Sequence, residues 1–115
     1  MKLYAWDHVP EEQVNPNMRR RAIHGEKMTL ARIRLRKGAT VQEHRHSHEQ
    51  MSMVQQGRLR FVVAGEEAML QAGDMLLIPP DAPHSVEVLE DCLVVDLFSP
   101  AREDWQRGDD AYLRR

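Results

Sequence analysis

Short runs in which apolar and polar residues alternate recur along most of this chain and constrain its fold more than any other feature. Between positions 29 and 36 apolar residues alternate with arginines, and a period of two returns between 58 and 63 and between 84 and 89. Because side chains alternate between the two faces of a β-strand, each run predicts a strand with one buried face. Turn signals, most of them containing glycine, separate the runs. The pattern predicts an all-β domain built as a sandwich or barrel.

The length of 115 residues suits one compact domain with a single core. We expect the barrel over residues 29–100. Residues 1–28 are polar and weakly periodic, which predicts an N-terminal arm of the same domain, with an edge strand near Arg20 to Ile23. Residues 101–115 are predicted to be a C-terminal tail, in which Ala101 to Gln106 form one helical turn and the last nine residues are loose.

Composition argues against several classes of protein. The net charge of −2 offers no support for binding to nucleic acid or to a membrane surface. No window approaches the roughly 18 apolar residues of a membrane span, and the N-terminus lacks the apolar stretch of a signal peptide. We therefore expect a cytoplasmic protein. The single cysteine, Cys92, lies in an apolar run and is predicted to be a small buried hydrophobic residue.

Histidines cluster on one predicted strand. His44, His46 and His48 alternate within five residues, so their imidazoles project to one face. Imidazole nitrogen is a favoured ligand for zinc, iron, nickel and copper. His84 lies far along the chain, at a position with the same parity as the predicted inward-facing Val86. Alternating histidines also occur on the surface of edge strands, so these residues alone leave both interpretations open.

The spacing of these histidines matches two motifs of the cupin superfamily. The first reads Gly38, five residues, His44-x-His46, three residues, Gln50, six residues and Gly57. The second reads Gly73, five residues, Pro79-x-Asp81, two residues and His84. The chain thus resembles the cupins. The resemblance implies a single-domain cupin, a jelly-roll β-barrel, with one divalent transition-metal ion bound by His44, His46, Gln50 and His84.

Two positions depart from the family pattern. Gln50 stands where glutamate is usual, and its amide oxygen can bind a metal without adding charge. Four neutral ligands leave the ion a strong Lewis acid, suited to an anionic substrate, and argue against a two-histidine, one-carboxylate iron site. Asp81 replaces a glycine, and aspartate tolerates turn geometry. His48 shares parity with Gln50 and is a rival ligand. The donor set is compatible with nickel, zinc, manganese or iron.

A narrower resemblance joins the histidine string to a late segment that reads Asp96-x-Phe98-x-Pro100-x-Arg102. This combination is similar to the pectin-degradation cupins of the KdgF family, over about residues 20–105. The resemblance implies an enzyme that opens the ring of 4,5-unsaturated uronate monosaccharides and gives linear 4-deoxy-5-keto uronates. Its partner would be a small anionic sugar-like substrate.

Three residues of the late segment are catalytic candidates. Asp96 interrupts an apolar strand, where a carboxyl near a metal could transfer a proton. The alternative is that it bonds a turn or faces solvent. Arg102 could hold the uronate carboxylate, or form a surface ion pair with Glu103 or Asp104. Phe98 could stack on the sugar or fill the core.

Other functions remain open, because one fold hosts many reactions. They are a non-catalytic metal-binding sensor of a sugar or small anion, and a metal-dependent oxygenase or isomerase on the same barrel.

Met51 and Met53 have the parity opposite to Gln50 and are predicted to point outward. Together with Trp6 they predict a contact between subunits and hence a homodimer. Alternatively, the N-terminal arm of the same chain covers them.

Overall fold

The computed structural model describes residues 1–114 and consists mainly of β-strands. The strands are β1 (Glu12–Asn15), β2 (Met18–His24), β3 (Thr29–Leu35), β4 (Thr40–His44), β5 (Glu49–Gln56), β6 (Arg58–Val63), β7 (Glu66–Gln71), β8 (Met75–Ile78), β9 (His84–Val88) and β10 (Cys92–Ser99). One short helix, α1 (Glu103–Gln106), and two 3₁₀ turns (Trp6–His8 and Ala111–Leu113) complete the described part of the chain. Among residues 1–114 no helix has the length and apolar character needed to cross a membrane.

The strands form two antiparallel sheets. The larger sheet has six strands in the order β1-β2-β3-β10-β5-β8, and the smaller has four in the order β4-β9-β6-β7. Sequential strands such as β3 and β4 lie in different sheets, so the chain crosses repeatedly from one sheet to the other. This arrangement is the closed double sheet of a jelly roll, which hides most strand edges. The prediction of an all-β barrel with a short C-terminal helical turn is confirmed.

The core lies between the two sheets and follows the alternation in the sequence. In β3 the buried residues are Thr29, Ala31, Ile33 and Leu35, and the residues between them are more exposed. In β6 Leu59 and Phe61 are almost fully buried. Strand β10 lies in the middle of the larger sheet between β3 and β5, and its residues 92–96 are buried without interruption. A strand flanked on both sides and covered on both faces needs such a continuous run.

Two turns explain residues of the motifs. Gly57 connects β5 to β6 with φ +86°, and a Cβ atom there would lie 2.2 Å from the carbonyl oxygen of Asp91. Only glycine fits that position. Asp81 precedes β9 with φ +63°, in the left-handed region where the family motif has glycine. Aspartate is among the few other residues that adopt this conformation at low cost, so the substitution keeps the turn.

The N-terminal segment adds more strand than the sequence pattern predicts. Residues 1–28 contain β1 and β2, which pair with each other and extend the larger sheet beyond β3. The expected strand near Arg20 to Ile23 lies within β2, and β1 forms the edge instead. The alternation in β2 is concealed because an arginine, Arg20, occupies an inward position between Met18 and Ala22.

The C-terminal segment packs against the barrel instead of remaining loose. Asp110 and Leu113 are buried, and the side chain of Asn15 donates a hydrogen bond to the Leu113 carbonyl, 2.7 Å away. Asp110 accepts a hydrogen bond from the buried guanidinium of Arg20 at 2.8 Å. The partners are far apart in sequence, so no local pattern of the last residues signals this packing.

Candidate metal centre and active site

Three of the predicted ligands meet where β4 and β9 pair. His44, the last residue of β4, lies directly opposite His84, the first residue of β9. The register shifts between Val41 and His44, so β4 carries one extra residue there. Without that bulge Glu43 would face His84; with it, the imidazole of His44 does. A bulge that re-aims a side chain next to a site is a recurrent device in sheets.

His46 joins this pair from the connection that follows β4. The donor nitrogens of His44, His46 and His84 all lie within 4.8 Å of one another. The ring centroid of His46 is 4.9 Å from that of His84 and 5.7 Å from that of His44. Three imidazoles at this separation could hold a single metal ion.

Each of the three rings is oriented by a nearby backbone carbonyl. Nδ1 of His44 lies 2.8 Å from the carbonyl oxygen of Gln42, and Nδ1 of His84 lies 2.8 Å from that of Ala82. Nδ1 of His46 lies 3.1 Å from the carbonyl oxygen of His48. Donation to these carbonyls requires the proton on Nδ1, which leaves the Nε2 lone pairs for a metal.

Gln50 supplies a fourth donor atom from β5. Its Oε1 lies 3.1 Å from Nε2 of His46, and its Nε2 donates to Oγ of Ser52 at 3.0 Å. With the His46 proton on Nδ1, the contact joins two atoms that both carry lone pairs. Two acceptors at this distance repel each other unless a cation lies between them. The donor set therefore fits a divalent metal coordinated by three imidazoles and one amide oxygen.

The electrostatic environment keeps the imidazoles neutral. Burial and the charge of Arg102 lower the pKa of His46 to about 4. Burial is also the main cause that lowers the pKa values of His44 and His84. A neutral imidazole is the form that ligates metals, so the three rings are ready for a metal across the physiological pH range.

His48 is outside this group. Its ring neighbours that of His46, but its nitrogens are not among the ligand atoms that lie within 4.8 Å of one another, and its buried Nδ1 makes no hydrogen bond to a described residue. Burial lowers its pKa too, but the carboxylates of Asp104 and Glu103 partly oppose the shift. The structure thus separates His48 from the three histidines that converge.

Asp96 faces the same interior from β10. It pairs across the sheet with Ser52, whose hydroxyl donates to Oδ1 of Asp96 at 2.5 Å. Burial raises the pKa of Asp96 to about 6, although hydrogen bonds from Ser52 and Gln50 and the charge of Arg102 oppose the shift. A carboxyl that is half-protonated near pH 6 can both take up and release a proton at neutral pH.

Arg102 follows the end of β10 by three residues and directly precedes α1. The side chain is 2% exposed, and its Nε and Nη2 donate to both carboxylate oxygens of Asp104 at 3.0 and 2.8 Å. Nη2 also donates to the hydroxyl of Tyr112 at 2.9 Å. The guanidinium lies over the rings of Phe98 and Trp105, at 4.7 and 4.5 Å from their centroids. The ion pair with Asp104 is therefore buried on the arginine side and is not a surface pair.

All seven candidate residues line one cavity of about 70 Å³. They are His44, His46, Gln50, His84, Asp96, Phe98 and Arg102. The cavity wall includes further residues that the sequence pattern does not single out, namely Arg20, Trp105 and Tyr112. Ser52, which joins Gln50 to Asp96, is also missed. Its parity with Gln50, a polar residue at an inward position, is the one signal that could have identified it.

Comparison with known proteins identifies the family and the fold of the chain. The model of the cupin domain family matches residues 31–98. The structure of KdgF from Halomonas sp. is 30% identical with a TM-score of 0.85, over 91% of this chain and 98% of that one. An RmlC-like cupin from Shewanella frigidimarina is 28% identical with a TM-score of 0.86, over 91% and 96% of the two chains.

A more distant structure, a predicted oxalate decarboxylase from Thermotoga maritima, is 16% identical with a TM-score of 0.75, over 86% of this chain and 99% of that one. At that identity it supports the fold alone. No curated protein matches the chain significantly. The two motifs, the jelly roll and the family match together show that the chain belongs to the cupin domain family, as a small single-domain member that resembles KdgF.

Proposed function

We propose that this protein is a metal-dependent enzyme that converts 4,5-unsaturated uronate monosaccharides to linear 4-deoxy-5-keto uronates. One observation carries the proposal: a set of metal donors, a buried carboxyl and a buried guanidinium line the same cavity. The chemistry needs all three, because the substrate carries a carboxylate and the reaction moves a proton. The similarity to KdgF adds independent support.

The proposed cofactor is one divalent transition-metal ion, nickel, zinc, manganese or iron, held by His44, His46, Gln50 and His84. Such an ion supplies a Lewis acid for the substrate's oxygen atoms. The amide of Gln50 adds no negative charge, so an anionic substrate meets no repulsion from the ligand set. The absence of a carboxylate among these donors also disfavours the oxygenase alternative.

Arg102 is proposed to bind the uronate carboxylate. Asp104 occupies Nε and Nη2, and Nη1 makes no hydrogen bond to a described residue. The substrate carboxylate would therefore contact Nη1, while Asp104 keeps the guanidinium in place. Phe98 packs under that guanidinium and against Trp105, whose ring centroid is 5.0 Å from its own. We assign Phe98 the role of supporting Arg102 and of offering an apolar surface to the sugar ring.

Asp96 is proposed to move the proton. Breaking the bond between the ring oxygen and C1 turns the C1 hydroxyl into an aldehyde and releases its proton. C4 gains a proton as C5 becomes a ketone. One carboxyl that accepts the first proton and delivers the second returns to its starting state, so the isomerisation balances without another reactant. In the metal-free protein the pKa of Asp96 is about 6, close to neutrality, as suits a group that must do both.

The test is a direct turnover assay on the metal-loaded protein. A lyase releases the 4,5-unsaturated uronate, and loss of its double-bond absorbance is followed against the spontaneous rate. We expect an acceleration that disappears with a chelator and that falls by about 10²–10⁴-fold in Asp96→Asn. Asp7→Asn, at an exposed position outside the cavity, is the control. Full turnover by Asp96→Asn would refute the role of Asp96, and no acceleration with any of the four metals would refute the proposed function.

The size of the cavity favours a second candidate, a non-catalytic sensor of a small anion. At about 70 Å³ the cavity is smaller than the roughly 300–1,000 Å³ of typical ligand pockets, so a sugar ring requires the wall to move. A sensor would be stabilised against thermal unfolding by a small carboxylate such as acetate or oxalate, and would leave the uronate unchanged. An enzyme would turn over the uronate instead, and the same two measurements separate the two functions.

We further propose that a second copy of the chain covers the outer face of the larger sheet. Met51 and Met53 on β5 pair there with Leu77 and Met75 on β8, which are 54% and 68% exposed. A contiguous apolar surface of this kind is typical of an interface. Met53→Glu should shift the mass in light scattering from dimer to monomer. Met69→Glu, an exposed methionine on the smaller sheet, should not. A monomeric wild type would contradict the proposal.

A further inference from the structure

A buried serine connects the metal donors to the catalytic acid. Ser52 is fully buried in β5, two residues beyond Gln50 on the same face and directly opposite Asp96 in β10. The amide nitrogen of Gln50 donates to its oxygen at 3.0 Å, and its hydroxyl donates to Oδ1 of Asp96 at 2.5 Å. The three side chains form one hydrogen-bonded group, in which Gln50 donates to Ser52 and Ser52 donates to Asp96, while the Gln50 amide also hydrogen-bonds to the Asp96 carboxyl.

A hydroxyl at this position needs an explanation. The inner row to which Ser52 belongs continues through Ala31 on β3 and Leu76 on β8, so its other members beyond Asp96 are apolar. A buried hydroxyl is unfavourable unless its hydrogen-bonding capacity is used. Here both the donor and an acceptor site are used, and both partners are residues of the candidate site. A purely structural serine would more simply bond to the backbone.

We propose that Ser52 is a positioning residue that sets which atom of Gln50 faces the metal and which oxygen of Asp96 faces the substrate. The part of the proposal that concerns Asp96 rests on the proposed function, whereas the part that concerns Gln50 does not. By accepting from the Gln50 amide nitrogen, Ser52 directs Oε1 toward His46, where it lies 3.1 Å from Nε2. By donating to Oδ1 of Asp96, it leaves Oδ2 to exchange a proton with the substrate.

The direction of the chain explains why a hydroxyl is required. An amide can rotate by half a turn and exchange its oxygen with its nitrogen, and an amide nitrogen cannot ligate a metal. The Ser52 hydroxyl has one proton. Because the Asp96 carboxylate accepts that proton, the serine oxygen can only accept from Gln50. The Asp96 carboxylate thus fixes the orientation of Gln50 through Ser52 and reinforces it by the hydrogen bond that it accepts from Gln50 itself.

The first test measures metal binding and needs no substrate. Ser52→Ala removes the hydroxyl, so Gln50 loses one of the two hydrogen bonds that orient its amide. We expect the apparent affinity for zinc or nickel, measured by calorimetric titration of the purified full chain, to fall about tenfold. The visible spectrum of bound cobalt should change, because one oxygen ligand is lost. Ser52→Thr keeps the hydroxyl and should restore both values. An unchanged affinity and spectrum in Ser52→Ala would overturn the assignment to Gln50.

The matched control is Val54→Ala, two residues further along the same face of β5. Val54 is 3% exposed, belongs to the core and does not line the cavity. Its truncation should lower the thermal unfolding midpoint by at least as much as Ser52→Ala while leaving metal affinity unchanged. If Ser52→Ala does not fold, Ser52→Cys provides a weaker and longer donor of similar size and should show the same loss of affinity. Equal metal affinities in Val54→Ala and Ser52→Ala would mean that Ser52 is merely structural.

The second test addresses Asp96 and uses turnover of the uronate. In metal-saturated Ser52→Ala we expect kcat to fall about tenfold and KM to stay within about twofold, because the serine does not contact the substrate. A changed KM with an unchanged kcat would overturn the assignment to Asp96. If the wild type shows no turnover, the proposed function fails, but the affinity test of Ser52 and Gln50 still stands.

Discussion

The two walls of the cavity are built in contrasting ways. The histidine wall consists of His44, His46 and His84, and each ring is held by a carbonyl only two residues away. The C-terminal wall consists of Arg102, Trp105 and Tyr112. The segment that carries it is fixed by contacts between the chain ends, such as the hydrogen bond of Arg20 to Asp110, 90 residues apart. Local hydrogen bonds thus orient the imidazoles of one wall, and long-range contacts fix the segment that carries the other.

This difference predicts that each wall can be damaged without the other. His46→Ala removes one of the proposed metal donors, and we expect the largest effect in the molecule. Loss of an outer hydrogen-bond partner of a ligand already costs about 10–100-fold in affinity, so loss of a ligand should exceed about a hundredfold and abolish turnover. Metal titration and the turnover assay measure the two effects.

His48→Ala is the matched control, since His48 lies outside the converging group. Its metal affinity should equal that of the wild type. A loss of metal affinity comparable to that of His46→Ala would identify His48 as a ligand and add it to the histidine wall. The C-terminal wall should be intact in both variants, with the same protection of the Leu113 region from hydrogen exchange.

The contrast also explains what the sequence can reveal. Spacing within a strand, as in His44-x-His46, reports side-chain direction because a strand has a fixed period, and His84 follows from the second motif. The fold follows from the same period. The period of two does not identify Arg20 as an inward-facing residue, because a charged residue in a strand is normally predicted to face solvent. Its burial can be understood only when its ion-pair partner is known. That partner, Asp110, lies in a tail with no periodicity, and ion pairs between distant segments leave no local pattern.

Breaking the ion pair should therefore loosen the C-terminal wall alone. Asp110 is buried and bonded to Arg20 and Arg114; although burial opposes its ionisation, these bonds hold the pKa of the carboxyl below its usual value. Asp110→Asn leaves the Arg20 cation buried without a full counter-charge, so the free energy of unfolding should fall by about 3 kcal/mol. Urea denaturation measures it. Asp109→Asn, its exposed neighbour, is the control and should cost little. A metal affinity lowered by Asp110→Asn would show that the two walls are coupled.

Asp96 lines the same cavity as both walls, and its ionisation makes the stability of the metal-free protein depend on pH. A carboxyl whose pKa is about 6 when folded binds its proton more tightly in the folded than in the unfolded chain. The stability of the metal-free protein that depends on this group therefore rises as pH falls from about 6 toward about 4. The ionised form is the unfavourable one at pH 7.5. Asp96→Asn should then stabilise the metal-free protein by about 1–3 kcal/mol at pH 7.5.

That gain should shrink as pH falls from about 6 toward about 4, where Asp96 is protonated in the folded chain and about half-protonated in the unfolded chain. Urea denaturation of chelator-treated protein at pH 7.5 and 4.5 measures the difference between variant and wild type. The histidines titrate equally in the two proteins, so their contribution cancels. Asp7→Asn, at an exposed position, should show no such dependence. A constant difference at both pH values would mean that Asp96 is not the buried acid described above.

The smallest expected effect comes from the hydrogen bond between Tyr112 and Arg102 in the C-terminal wall. Tyr112 accepts a hydrogen bond from Nη2 of Arg102 at 2.9 Å, and its ring centroid lies 4.9 Å from that of His44. It thus touches the histidine wall as well. Tyr112→Phe keeps the ring and removes only the hydroxyl. One hydrogen bond to a charged group that keeps its other partners is worth about 1 kcal/mol, or roughly fivefold.

Because Asp104 still holds the guanidinium, the loss should appear as a KM for the uronate raised about fivefold, with kcat and metal affinity unchanged. Tyr4→Phe, the other tyrosine and an exposed one, should alter neither. A fall in metal affinity would mean that the Tyr112 ring shifts and disturbs His44, so the walls depend on each other at this contact. An unaltered KM would mean instead that Asp104 alone orients Arg102, and the hydroxyl of Tyr112 would have no part in holding the substrate carboxylate.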